Sequence, residues 1–140
     1  MTRALYSFVV LLITAALSLQ ACATISTLEP TKISPSSQGE VTLDKGDENE
    51  NSYVEIAVKH MAPPELLDEQ YATYVVWLRP QGEEGWNNIG QLKIDDDRVG
   101  ALRSPTPYTR FDVIVTAESR ADVTTPSSAV VLRGNVSEDA

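Results

Sequence analysis

From Tyr53 onward the chain alternates apolar and polar residues in short runs separated by turn-forming residues, which is the pattern of antiparallel strands. Helical periodicity is not sustained anywhere in this region. In Tyr53 to Met61, Val54, Ile56 and Val58 share one face while Glu55 and Lys59 take the other. Pro63 and Pro64 end this strand, and Glu65 to Gln70 fits a single helical turn or a loop. Ala72 to Arg79 places Tyr74, Val76 and Leu78 against Val75 and Trp77, so it predicts a strand covered on both faces. A turn at Gly82 to Gly85 leads to Trp86–Ile94, and the charged Asp95 to Asp97 turns the chain back into Val99–Arg103, a predicted hairpin. Ser104, Pro105 and Pro107 interrupt again. Thr109 to Glu118 is the longest alternation, with Phe111, Val113, Val115 and Ala117 inward and Ile114 the apolar exception on the other face. A turn around Thr125, Pro126 and Ser127 precedes a last strand at Ala129 to Arg133.

With a short strand at Val41 to Leu43 the count comes to about seven, spaced as in an immunoglobulin-like antiparallel β-sandwich. The expected domain runs over 41–136, followed by a disordered tail at 137–140. Trp77 falls where such sandwiches place a core tryptophan, although the paired cysteines of antibody domains are absent.

The amino-terminal part has a different character. Met1 to Arg3 is a short cationic start, and Ala4 to Leu19 carries no charge. This fits a secretory leader over 1–21. A membrane-spanning helix is the competing reading, but it needs about 20 apolar residues and the run falls short. Leu19-Gln20-Ala21-Cys22 resembles a bacterial lipobox, which implies cleavage before Cys22 and lipidation of that cysteine. Gln20 departs from the small residue usual at its position. Stable anchoring generally takes more than one acyl chain, each buried methylene contributing about 0.8 kcal/mol. From 22 to 40 the chain is rich in Ser, Thr, Pro and Gly without periodicity, and it reads as a lipidated, flexible tether. Asp44 to Ser52 is acidic around Gly46 but lacks the ligand spacing of an EF-hand, so it reads as a solvated loop.

Composition narrows the function. The formal charge of −9 disfavours nucleic acid and charge-driven adhesion to anionic lipid. Removing the leader takes away Arg3 and makes the remainder one unit more negative. A single cysteine cannot form an internal disulfide, and with one histidine it cannot supply the usual zinc or iron-sulfur ligand set. No cofactor and no small-molecule substrate is indicated. His60 stands at a strand end with no serine or acid in a recognisable triad arrangement, and reads as structural rather than as a general base. Asp95, Asp96 and Asp97 read as a charged tip that protects an edge, with calcium binding as the alternative. Trp86, beside Gly85, reads either as a recognition aromatic or as a residue folded back on the sheet.

Tyr74-Val75-Val76-Trp77-Leu78, Gly90-Gln91-Leu92, Gly100, the run Phe111 to Glu118, Pro126-Ser127 and Val131-Leu132 together resemble the extracytoplasmic carboxyl-terminal domain of anti-sigma-K-type factors. The resemblance covers about Ala72 to Gly134 and implies a β-sandwich working outside the cytoplasm without known catalysis. Those regulators act through a cytoplasmic sigma-binding domain, and only Met1 to Arg3 precede the apolar run here. Regulation of a sigma factor is therefore not carried over. The expectation is a non-enzymatic, lipid-anchored cell-envelope protein with an envelope protein as partner. By resemblance to enterobacterial lipoproteins, Ala23 in place of the aspartate of inner-membrane retention favours an outer-membrane location in a cell that has one. The alternative is a calcium-stabilised adhesion or sensor domain.

Overall fold

A computed structural model describes residues 23–46 and 51–138. The expected leader, 1–21, and Cys22 lie outside that range, as do Asp47, Glu48, Asn49 and Glu50 of the acidic stretch and residues 139–140 of the expected tail. The chain forms eight strands: β1 (Ala23–Pro30), β2 (Gln38–Asp44), β3 (Ser52–Lys59), β4 (Thr73–Pro80), β5 (Asn87–Leu92), β6 (Gly100–Thr106), β7 (Arg110–Glu118) and β8 (Val130–Ser137). A 3-10 turn at Pro64–Leu66 is the only helical piece among the described residues. All strand pairings are antiparallel, in the continuous order β5-β4-β7-β8-β1-β2-β3-β6. The two ends of this order meet, with Leu102 of β6 filling the space beside Gly90 of β5. The sheet is therefore curled nearly into a barrel around one core.

Inward positions follow the alternation read from sequence. Val54, Ile56 and Val58 of β3, Tyr74, Val76 and Leu78 of β4, and Phe111, Val113, Val115 and Ala117 of β7 all join the core. Period-two alternation sends every second side chain inward, and removal of their apolar surface from water drives the closure.

Besides the predicted hairpin, whose two strands pair with other neighbours instead of with each other, β5 with β4 and β6 with β3, three expectations need correction. The stretch expected to be a tether is part of the sheet: Ala23 to Leu28 pair with Asp44 to Gly39 of β2, and Glu29 and Pro30 pair with Arg133 and Leu132 of β8. Leu28 is buried to 1% exposure and packs between two glycines. A Cβ on Gly39 would stand 3.1 Å from the Leu28 Cβ, and one on Gly134 would stand 2.7 Å from its Cδ2. The serines and threonines that look like linker hold turns instead. Thr31 Oγ1 donates to the Val130 carbonyl at 2.5 Å, and the buried Ser34 and Ser37 hydroxyls hydrogen-bond one another.

The second correction concerns the carboxyl end. Ser137 pairs with Arg110, the Glu138 N–H donates to the Thr109 carbonyl at 3.2 Å, and the Glu138 carboxylate forms an ion pair with Lys45. The expected tail is thus tied down at least through Glu138. Third, β6 runs on through Pro105, which pairs with Tyr53. A proline with no N–H is tolerated there because β6 ends the strand order and need offer no donor outward.

Tyr74 ties β4 to the connection before it, its hydroxyl donating to the Ala62 carbonyl at 2.6 Å. Burial, and secondarily the nearby Glu65 carboxylate, pushes its phenol from 10.0 up to about 12. An unfolded chain would ionise this tyrosine at about pH 10 while the fold keeps it protonated. Stability should therefore fall as pH rises from about 10 to about 12, by roughly 2 kcal/mol over that range. Urea denaturation at pH 8 and pH 11.5 checks this: Tyr74→Phe should lose the extra alkaline loss while giving up about 1 kcal/mol at pH 8 with the hydroxyl contact.

Candidate functional site

The outer face of β4 and β7 carries a second layer of burial. Val75 and Trp77 are both at 0% exposure, yet both point away from the main core. Trp77 is therefore buried as expected, but outside the main core. The β7–β8 connection at 119–129 crosses this face, tied to Glu118 of β7 on one side and to Asn88 of β5 on the other. The Trp77 Nε1 donates to Thr116 Oγ1 at 2.8 Å, and that hydroxyl donates to Glu118 Oε1 at 2.8 Å. The same carboxylate oxygen accepts the Ser127 N–H at 2.6 Å. Ser127 Oγ donates to the Ala117 carbonyl at 2.8 Å and accepts the Ala129 N–H at 3.1 Å. Farther out, the Asn88 amide donates to the Ala121 and Val123 carbonyls at 2.9 and 2.8 Å. Glu118 is itself only 4% exposed, so this carboxylate closes a turn over an indole. A chain of fully paired polar atoms in a dry setting fixes one geometry, because any broken link would leave a buried group unpaired.

The other sequence-picked side chains lie apart from this cluster. Trp86 is half-buried, with the Arg79 guanidinium 4.4 Å over its ring, and Arg79 in turn holds Asp112 with its Nη2 at 2.8 Å. This tryptophan folds back on the sheet. Asp95 Oδ1 accepts the N–H groups of Asp97 and Val99 at 2.9 and 3.0 Å, which shapes the β5–β6 turn. His60 is exposed at the end of β3 with a φ of 57°, and Arg98, in the facing turn, has a φ of 63°. The Met61 N–H donates to the Arg98 carbonyl at 3.2 Å, so two left-handed residues are held together at one end of the fold.

Two open clefts flank that end. One of about 530 Å³ lies between the Pro64 turn and β5, with Glu65, Gln91, Lys93 and Arg98 on its walls. The other, about 930 Å³, runs under the β1–β2 turn and is lined by Leu28, Pro30, Pro35, Val58, His60 and Val99. Among the described residues no three His, Cys, Asp or Glu side chains gather as a metal site would require. Nor is any helix among them long and apolar enough to cross a membrane.

In the sequence Trp77, Thr116, Glu118 and Ser127 belong to two separate strands and a turn, the last three with no site role, and the fold joins them. Their periodicity offered one signal: Trp77, Thr116 and Glu118 all stand on the faces opposite the main apolar rows. No protein-family model matches the chain, and no curated protein matches it either.

Proposed function

We propose that this chain is a non-enzymatic, lipid-anchored protein of the bacterial cell envelope, whose β-domain serves as a structural or protein-interaction module. The observation that carries the reading is one of position. The lipobox-like Leu19-Gln20-Ala21-Cys22 ends one residue before β1 begins, so cleavage ahead of Cys22 would release the folded unit whole. In a cell with two membranes, the outer membrane is the expected site.

The finer fold reading is immunoglobulin-like. Setting β1 aside, the order splits into β2-β3-β6 and β5-β4-β7-β8. Named A, B, C, C′, E, F and G in chain order, these strands fall into A-B-E and C′-C-F-G, the partition of an immunoglobulin-type sandwich. The likeness to anti-sigma-K-type extracytoplasmic domains rests on the sequence, and the residues that carry it include Trp77, Thr116, Glu118 and Ser127, which hydrogen bonds link in this chain. The non-catalytic reading draws on how the polar candidates are used: Glu118 closes a buried turn and Asp95 shapes an exposed one.

Metabolic labelling with a palmitate analogue tests the anchor. The wild-type chain should label and Cys22→Ser should lose essentially all incorporation and accumulate with its leader uncut; equal labelling of the two would overturn the proposal.

A further inference from the structure

Two of the exposed large apolar side chains, Ile25 at 61% and Tyr53 at 37%, stand on the outside of the sheet in neighbouring outward rows, two strands apart, at the end where β1 begins. Register places Ala23, Asp44, Tyr53 and Pro105 in one outward row across β1, β2, β3 and β6. The next outward row is Ile25, Thr42, Glu55 and Arg103. The Arg103 guanidinium lies 4.4 Å over the Tyr53 ring, with its Nη1 3.0 Å from Asp44 and 3.8 Å from Glu55. The strip thus combines an exposed isoleucine, a tyrosine with a polar tip, and one cation, with its carboxylates already paired.

Its place in the chain decides what can cover it. Resting on the reading that Cys22 is lipidated, the acyl chains leave the protein one residue before β1. At about 3.3 Å per residue of strand, the Ile25 Cα stands within roughly 10 Å of that of Cys22. Each headgroup layer of a bilayer is about 5–7 Å deep, so Ile25 and Tyr53 cannot be held far from it. A flexible tether would have allowed the domain to stand off, and Ala23 to Pro30 is strand instead.

We propose that this strip lies on the bilayer that carries the Cys22 acyl chains, with Ile25 entering the interface and Tyr53 at headgroup level. Aromatic side chains with polar tips settle at that depth. The strip's own charges, Asp44 and Glu55 against Arg103, leave it slightly acidic, so the contact is held by the covalent anchor and apolar burial and does not need anionic lipid. The opposite end, with the Pro64 turn, the Asp95 turn and both clefts, then faces away from the membrane.

The test uses the full lipidated chain in phosphatidylethanolamine–phosphatidylglycerol vesicles containing brominated acyl chains. In that chain the Cys22 sulfur is blocked as a thioether, so an introduced cysteine is the one free thiol. A fluorophore at Ile25→Cys should be quenched several-fold more than one at Leu66→Cys, a position 66% exposed at the opposite end. The difference should persist when phosphatidylglycerol is left out. Tyr53→Cys repeats the measurement if the first variant folds poorly. Equal quenching at both ends overturns the proposal and leaves lipidation standing, whereas a mature protein without acyl mass on Cys22 overturns both. Shielding of Ile25 that grows with protein density instead of bromolipid content would identify a second copy as the occupant and also overturn it.

Discussion

Trp77→Ala should destabilise the domain by about 4 kcal/mol and lower its melting temperature by more than about 10 °C. The indole lies outside the main core, so the cost comes from the layer between the outer face of β4 and the 119–129 connection. Removing a buried tryptophan typically costs about 3–5 kcal/mol in lost burial and residual cavity. Here the partner atoms suffer too, because Thr116 Oγ1 loses its donor in a place closed to water. Trp77→Phe separates the two contributions: it keeps most of the apolar volume, deletes the N–H, and should cost about 1–2 kcal/mol. Chemical denaturation of both variants measures the split. A Trp77→Ala loss below about 1 kcal/mol would mean that the connection contributes no packing.

Leu28→Ala is expected to cost about 3 kcal/mol, within the usual range of about 2–5 for truncating a buried leucine. A residue in a flexible linker would show no effect, so this substitution distinguishes strand from tether. The neighbourhood cannot collapse to fill the space. Gly39 and Gly134 have no side chains to move in, and their backbones are held in the β2 and β8 ladders. Refilling from the glycine side should not rescue the fold, because a Cβ at Gly134 would also lie 3.2 Å from the Thr27 carbonyl oxygen. Equilibrium unfolding, together with amide exchange at Thr42 and Leu43, would report both the stability loss and the loosening of β1 against β2.

The strands that bury an unbroken apolar row were legible in the sequence, and β1 shows why its own strand was not. Its inward positions besides Leu28 are Thr24 and Ser26, opposite Leu43 and Val41, while its isoleucine points outward. Alternation is present in the backbone but inverted in polarity, so no apolar period marks it. A similar argument applies to β8. Gly134 and Asn135 look like a turn, yet they pair with Val113 and Asp112 because a small residue is needed where Leu28 crosses. The outer cluster was half-legible. Trp77 could be predicted as buried from the apolar residues on both faces of β4, but the connection that crosses its face is a loop of mixed polarity, which hydrophobic patterning cannot assign to a face.

The position of β1 between the two halves of the sheet also has a mechanical meaning. A pull entering at Ala23 and resisted at the opposite end of the domain runs along the strand axis, so the rungs to β2 and β8 are loaded in shear and must fail together, not one by one. The same strand is the one that joins both halves of the hydrogen-bonded order. A domain fastened at this point would bear tension through its whole sheet, and its first yielding step would be the opening of the barrel.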